Sequence, residues 1–175
     1  DVALVPTPEI RAWMAEVSAQ APVAFVTRMK PLSKLLANTP PEVLEQATTG
    51  GTIATFHNAG VLVTRVAELA RLDLRLVVGS SANLSSTGNH YSLDEIPASI
   101  RSGVDLEIDH GPVRYGSSSR SPAPRLATTI LDLTTLDFRR KGILYEHIAK
   151  SWLSFRTRGT QPAALVSPVC GLDHC

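Results

Sequence analysis

Cysteine is scarce in this sequence and confined to one end. The two cysteines among 175 residues, Cys170 and Cys175, both lie in the closing stretch. No disulfide framework can organise such a chain, which suits a reducing compartment, and the expected location is cytoplasmic. Charge of one sign is missing as well. The formal net charge is +1, so there is no strong overall field, and only a local patch could argue for nucleic acid. No apolar run is long enough to span a bilayer, so no membrane partner is expected. The opening residues Asp1-Val2-Ala3-Leu4-Val5-Pro6-Thr7 lack the basic region and long apolar core of a signal peptide. His57, His90, His110 and His147 show no metal-ligand spacing and read as surface or turn residues. Gly79-Ser80-Ser81-Ala82-Asn83 lacks the second glycine of a hydrolase nucleophile elbow. There is no internal repeat.

What is present is globular. Hydrophobic residues make up 43% and charged residues 19% of the chain, enough for one compact domain with a sizeable core. Residues 2–5 form a short apolar run suited to an edge strand. Thr7-Pro8-Glu9 is a helix start, with Ile10, Trp13, Met14 and Val17 at helical spacing, which predicts a helix over 8–19. Residues 22–26 predict a strand, followed by a basic loop. A second helix opens at Thr39-Pro40-Pro41-Glu42 and covers Val43, Leu44 and Ala47. A strand at 52–56, a turn at 57–60 and a helix at 61–72 come next. Residues 74–78 predict a buried strand. Ser92-Leu93-Asp94-Glu95 has the form of a capping box opening a helix to about residue 102, disturbed at Pro97 and stopped by Gly103. Residues 104–108 alternate apolar and acidic and predict a half-exposed strand. A Ser/Pro-rich loop fills 115–124. Strands follow at 126–133 and 138–144, then a helix at 145–155. Strands alternating with helices, then strands without them, predict an α/β domain with a mixed sheet over 1–155. Residues 156–175 lack periodicity and read as a C-terminal tail. Within it Cys170, His174 and Cys175 lie close in sequence, but a frayed tail explains them better than a metal site.

The centre of interest is the loop that follows residues 74–78: Gly79-Ser80-Ser81-Ala82-Asn83-Leu84-Ser85-Ser86-Thr87-Gly88. A strand delivering a small, hydroxyl-rich, glycine-flanked loop can bring N–H groups and short side chains to a phosphate or carboxylate. Ser81 and Asn83 are two apart, so an extended backbone points both to one side. An ordinary polar turn uses the same residue types.

Four segments in order resemble the YrdC-like threonylcarbamoyl-adenylate synthase family. Ser80-Ser81-Ala82-Asn83-Leu84-Ser85 is similar to its Ser/Thr-Ser-Ala-Asn-x-Ser loop. Residues 104–112, VDLEIDHGP, are similar to its Ile-Asp-x-x-Leu-Asp-Gly-Gly-Pro, with His110 at a usual glycine. Residues 128–133, TTILDL, are similar to Ser-Thr-Val-Val-Asp-Leu, and Arg140-Lys141-Gly142-Ile143 to Arg-Pro-Gly-Ile. A weaker match is Lys30-Pro31-Leu32-Ser33. The resemblance implies a twisted α/β sheet flanked by helices, and a nucleotidyltransferase that condenses ATP, bicarbonate and L-threonine to threonylcarbamoyl-adenylate and pyrophosphate for tRNA modification. It also implies Mg²⁺ and binding of tRNA or double-stranded RNA. On this reading Ser81 and Asn83 are catalytic and donate hydrogen bonds to phosphate or acyl oxygens, while Arg140, Arg28 and Lys30 neutralise phosphate charge.

The first half departs from the family. After Val5-Pro6-Thr7 the chain runs straight into Pro8-Glu9-Ile10, so the Pro-Thr-Asp-Thr-x-Tyr-Gly-Leu segment is reduced to Pro-Thr. Arg28-Met29-Lys30-Pro31 reverses the charge order of Lys-x-Arg-Pro, and Ser86 replaces a glycine. No room remains before Thr52 for the Trp-Pro-Gly-Pro-Leu-Thr segment. Two alternatives therefore accompany the synthase: a non-catalytic nucleotide-, RNA- or partner-binding module of the same fold, and a related carbamoyl-adenylate-using transferase.

Overall fold

A computed structural model describes residues 1–85, 87–113 and 126–158. The chain runs β1 (Ala3–Leu4), α1 (Pro8–Gln20), β2 (Val23–Met29), α2 (Lys34–Ala37), α3 (Pro41–Ala47), β3 (Thr48–Thr49) and β4 (Thr52–His57). Then come α4 (Val61–Leu72), a 3₁₀ turn at Leu93–Glu95, α5 (Ala98–Arg101), β5 (Thr129–Asp132), β6 (Asp137–Arg140) and α6 (Tyr145–Arg158). The strands form a single open mixed sheet in the order β3-β4-β2-β5-β6, with β1 added to β2. The fold is therefore mixed α/β. β2 is the spine. It pairs antiparallel with β4 along Val23↔His57 to Arg28↔Thr52, and parallel with β5 along Val23↔Thr129 to Val26↔Asp132. Paired on both edges and covered on both faces, Val23, Ala24, Phe25 and Val26 can be apolar without alternation.

One face of β2 and β5 carries the main core. Val23, Phe25 and Leu131 meet Trp13, Met14 and Val17 of α1 and Ile148 and Trp152 of α6. The Trp13 ring lies 4.8 Å from Trp152 and 5.7 Å from Phe25, and its indole N–H donates to Ser151 Oγ at 3.0 Å. The expected helix start is in place, since Thr7 Oγ1 accepts from Ile10 N at 3.3 Å. A smaller cluster of Val2, Leu35 and Ile53 lies beyond it. There Ser33 Oγ caps α2, accepting from Leu36 N.

Three expected elements are corrected. Residues 74–78 are not a strand. Leu74 takes φ 55, and the N–H groups of Leu74 and Arg75 donate to Arg71 O and Ala70 O, so this run ends α4 instead of entering the sheet. Only Leu76 reaches the small cluster. Residues 104–108 are not a strand either. Glu107 is held by Arg101 in a two-pronged pair at 2.9 and 2.6 Å, which fixes the segment to the end of α5. The helix expected from Ser92 to residue 102 is split at Pro97 into the 3₁₀ turn and α5. Glu95 Oε2 accepts from Tyr91 N, one residue short of a capping box. Helix α6 runs three residues into the expected tail, to Arg158. The loop at 115–124, Ser86 and the tail cysteines lie outside the described residues. Among the described residues no helix is long and apolar enough to cross a membrane.

Candidate functional site

The sheet face opposite the aromatic core is read off the strand register. Phe56 of β4 pairs with Ala24 of β2, Ala24 with Ile130 of β5, and Ile130 with Arg140 of β6. Paired residues share a face, so these four form one row across the sheet, roughly 14 Å from first to last at ordinary strand spacing. A register shift between Ile130 and Leu131 makes a bulge in β6, which sets Arg139 and Arg140 as neighbours on this face while Phe138 packs on the aromatic core.

The two arginines are used differently. Asp132 is fully buried and accepts from Arg139 Nε at 2.6 Å, from Thr134 N at 2.8 Å and from Thr134 Oγ1 at 2.7 Å. Burial pushes the Asp132 carboxyl up, but the bonds from Thr134 and Arg139 outweigh it and hold it below the usual value. Arg139 is thereby neutralised. Arg140 spends only its Nε, on Thr128 O at 2.8 Å. That bond leaves both terminal guanidinium nitrogens unused, and no carboxylate faces Arg140 among the described residues. Burial lowers its pKa, and it stays cationic at neutral pH.

Behind Arg140 the chain is fixed by Gly142. A Cβ there would lie 2.0 Å from Ala127 O and 2.8 Å from Thr129 N. Gly142 N donates to Thr129 Oγ1 at 3.0 Å, and the same hydroxyl donates to Ile143 O at 2.8 Å. The glycine of Arg140-Lys141-Gly142-Ile143 thus has a packing reason, and it sets the place at which Arg140 leaves the sheet.

The remaining expected residues lie elsewhere. Arg28 lies one residue before the end of β2, opposite Thr52, exposed, and shares the row's face four residues beyond Ala24, about 16 Å from Arg140 by strand geometry. Lys30 is exposed one turn of chain later, its N–H donating to Val2 O. Ser81 and Asn83 sit in the loop after 74–78. Ser81 Oγ donates to Asn83 Oδ1, and Asn83 Nδ2 donates to Leu84 O. Their hydrogen bonds are made within the loop. No hydrogen bond or ion pair among the described residues joins them to Arg140, Arg28 or Lys30. Their delivery by a buried strand is overturned with the strand itself.

One feature escaped the pattern of the sequence. Between the end of β4 and α4 lies an open groove of about 330 Å³, with Phe56, Ala59, Val63 and Ala67 as its apolar lining and Asn58 and Glu68 among its polar groups. Phe56 is 56% exposed although it lies in a strand. A single aromatic at the end of a β-branched run signals a strand, not a site. Only the register shows that it shares a row with Arg140. His57 also borders the groove. Desolvation by burial lowers its pKa and keeps it neutral, with Nε2 3.1 Å from Thr55 Oγ1. Compared with protein-family profiles, curated proteins and solved structures, the chain matches none.

Proposed function

We propose that this chain is a nucleotide-binding domain of YrdC-like type, cytoplasmic, that forms an acyl-adenylate from ATP, bicarbonate and L-threonine for tRNA modification. The observation that carries the reading is Arg140. It is an exposed cation held at its Nε by Thr128 O, with no carboxylate partner among the described residues and its two terminal nitrogens unspent. Its neighbour Arg139 is ion-paired with the buried Asp132, so of the two arginines that end β6 Arg140 is the one open to an outside anion. A planar guanidinium held at one nitrogen presents the other two as a fork suited to phosphate. Formation of an acyl-adenylate by attack on the α-phosphorus needs positioning and charge neutralisation rather than a covalent intermediate with the protein. Arg140 supplies the latter, and Arg28, on the same face, reaches a more distant part of the ligand. Among the described residues no cluster of His, Cys, Asp or Glu could hold a metal. Mg²⁺ on this reading is bound through the triphosphate oxygens, and when bound neutralises their charge.

The bonds of Ser81 and Asn83 favour a second reading, a non-catalytic module of the same fold. In catalysis these two groups must exchange their mutual bond for bonds to substrate. If they only shape the loop, nucleotide or RNA binding survives without turnover. Calorimetric titration with ATP and Mg²⁺, with and without L-threonine and bicarbonate, separates the two. Arg140→Met is expected to weaken ATP binding at least tenfold. Pyrophosphate release on adding threonine, lost in Ser81→Ala and Asn83→Ala, is the synthase outcome. ATP binding without pyrophosphate release is the module outcome. No ATP binding by the folded chain overturns the nucleotide reading.

A further inference from the structure

We infer that the groove between Phe56 and α4 is a nucleobase site, in which a planar heteroaromatic ring stacks on Phe56 while its phosphates reach toward Arg140 at the far end of the same sheet row. The inference rests on the nucleotide reading above and adds where the base goes.

Three observations carry it. The first is an aromatic ring presented on an apolar floor: Phe56 is half exposed, and Ala59, Val63 and Ala67 line the groove with it. Small residues on the α4 side leave room for a flat ring, and every base has a face that stacks on an aromatic side chain. The second is polar groups for a base edge. Asn58 offers an amide donor and acceptor together, the pair that can bind an adenine edge at two points, and the Glu68 carboxylate can accept from an exocyclic amine. Asn58 is held at φ 56 by the turn that ends β4, so its position is set by the backbone. Glu68 is already steadied by Arg65 at 3.1 Å. The neutral His57 adds no charge to the floor. The third is alignment. The register Phe56↔Ala24↔Ile130↔Arg140 puts the ring and the unspent cation on one face, at the two exposed ends of a row whose middle residue Ala24 is buried. Their separation, roughly 14 Å by strand spacing, suits the two ends of an extended nucleotide rather than two contacts to one group.

The test compares three probes on the full chain: ATP, adenosine and inorganic tripolyphosphate. Phe56→Ala is expected to weaken ATP and adenosine roughly tenfold, the usual loss for one base stacked on an aromatic, and to leave tripolyphosphate unchanged. Phe56→Trp is expected to restore binding and to show quenching of the new indole by adenosine. Because Phe56 is half exposed, neither change endangers the fold. Unchanged affinity for adenosine and ATP in Phe56→Ala, with tripolyphosphate still dependent on Arg140, overturns the inference and leaves the nucleotide reading standing. Adenosine binding that depends on Phe56, with no tripolyphosphate binding, supports the groove and overturns the assignment of Arg140.

Discussion

Two regions of this molecule contain similar residues and pack in opposite ways. In the first, β2, β5, α1 and α6 bring Trp13, Val17, Phe25, Leu131 and Ile148 to between 0% and 2% exposure. In the second, from α4 to residue 113, the chain is as rich in Leu, Val and Ile, yet no residue of α4 is buried and Leu62, Val66 and Leu69 are all about half exposed. Val77, Val78, Leu106 and Ile108 are exposed too. The difference lies in partners. β2 has a strand on each edge and helices on its core face, whereas residues 74–78 and 104–108 have no strand beside them among the described residues and are held by a helix end and an ion pair. An apolar run is a strand only when something pairs with it, because its backbone N–H and C=O groups need partners before its side chains can be buried.

Substitutions should separate the two regions sharply. Gly142→Ala should have the largest effect: a Cβ 2.0 Å from Ala127 O forces the β5–β6–α6 junction apart, and folded protein should fail to accumulate, scored by circular dichroism and yield. Trp13→Ala removes the centre of the aromatic cluster and its bond to Ser151, and should cost about 3–5 kcal/mol in denaturant unfolding. Acid should act on the packed region through Asp132. Its folded pKa is lowered, so its contribution is present above the ordinary carboxylate value and is lost as pH falls through the lowered one. Stability of the natural chain should therefore drop on acidification, and Asp132→Asn, weaker at neutral pH, should flatten that slope. Leu69→Ser in α4 should change stability by less than about 0.5 kcal/mol, the range of an ordinary surface substitution. A loss comparable to that of Trp13→Ala would mean that α4 is covered, and the contrast would fall. Amide exchange gives the finest view: N–H groups of Val23–Met29 should exchange by global opening, and those of residues 74–78 and 104–108 far faster.

The candidate site was legible in part. Arg140 and Gly142 could be singled out from Arg140-Lys141-Gly142-Ile143, and both have defined roles at the end of β6. Ser81 and Asn83 could be placed on one side of a loop, but not against the sheet, because their spacing fixes relative direction and says nothing of what lies opposite. Phe56 could not be found, since one aromatic in a strand is ordinary. That Arg139 is paired and Arg140 is not depends on a bulge of one residue, which no periodicity announces.

Local chemistry in the sequence determined the helix starts at Thr7 and Pro41, the apolar spine of β2, the helical face of Trp13, Met14 and Val17, and the length of α4. Each follows from interactions within a few residues, which spacing and capping residues encode. Tertiary structure alone decided that residues 74–78 and 104–108 stay out of the sheet, that β2 and β5 are parallel neighbours across a long connection, and that Phe56 and Arg140 share a row. Those outcomes depend on register and on competition for strand edges, where the partner is far away in sequence and the choice belongs to the whole chain.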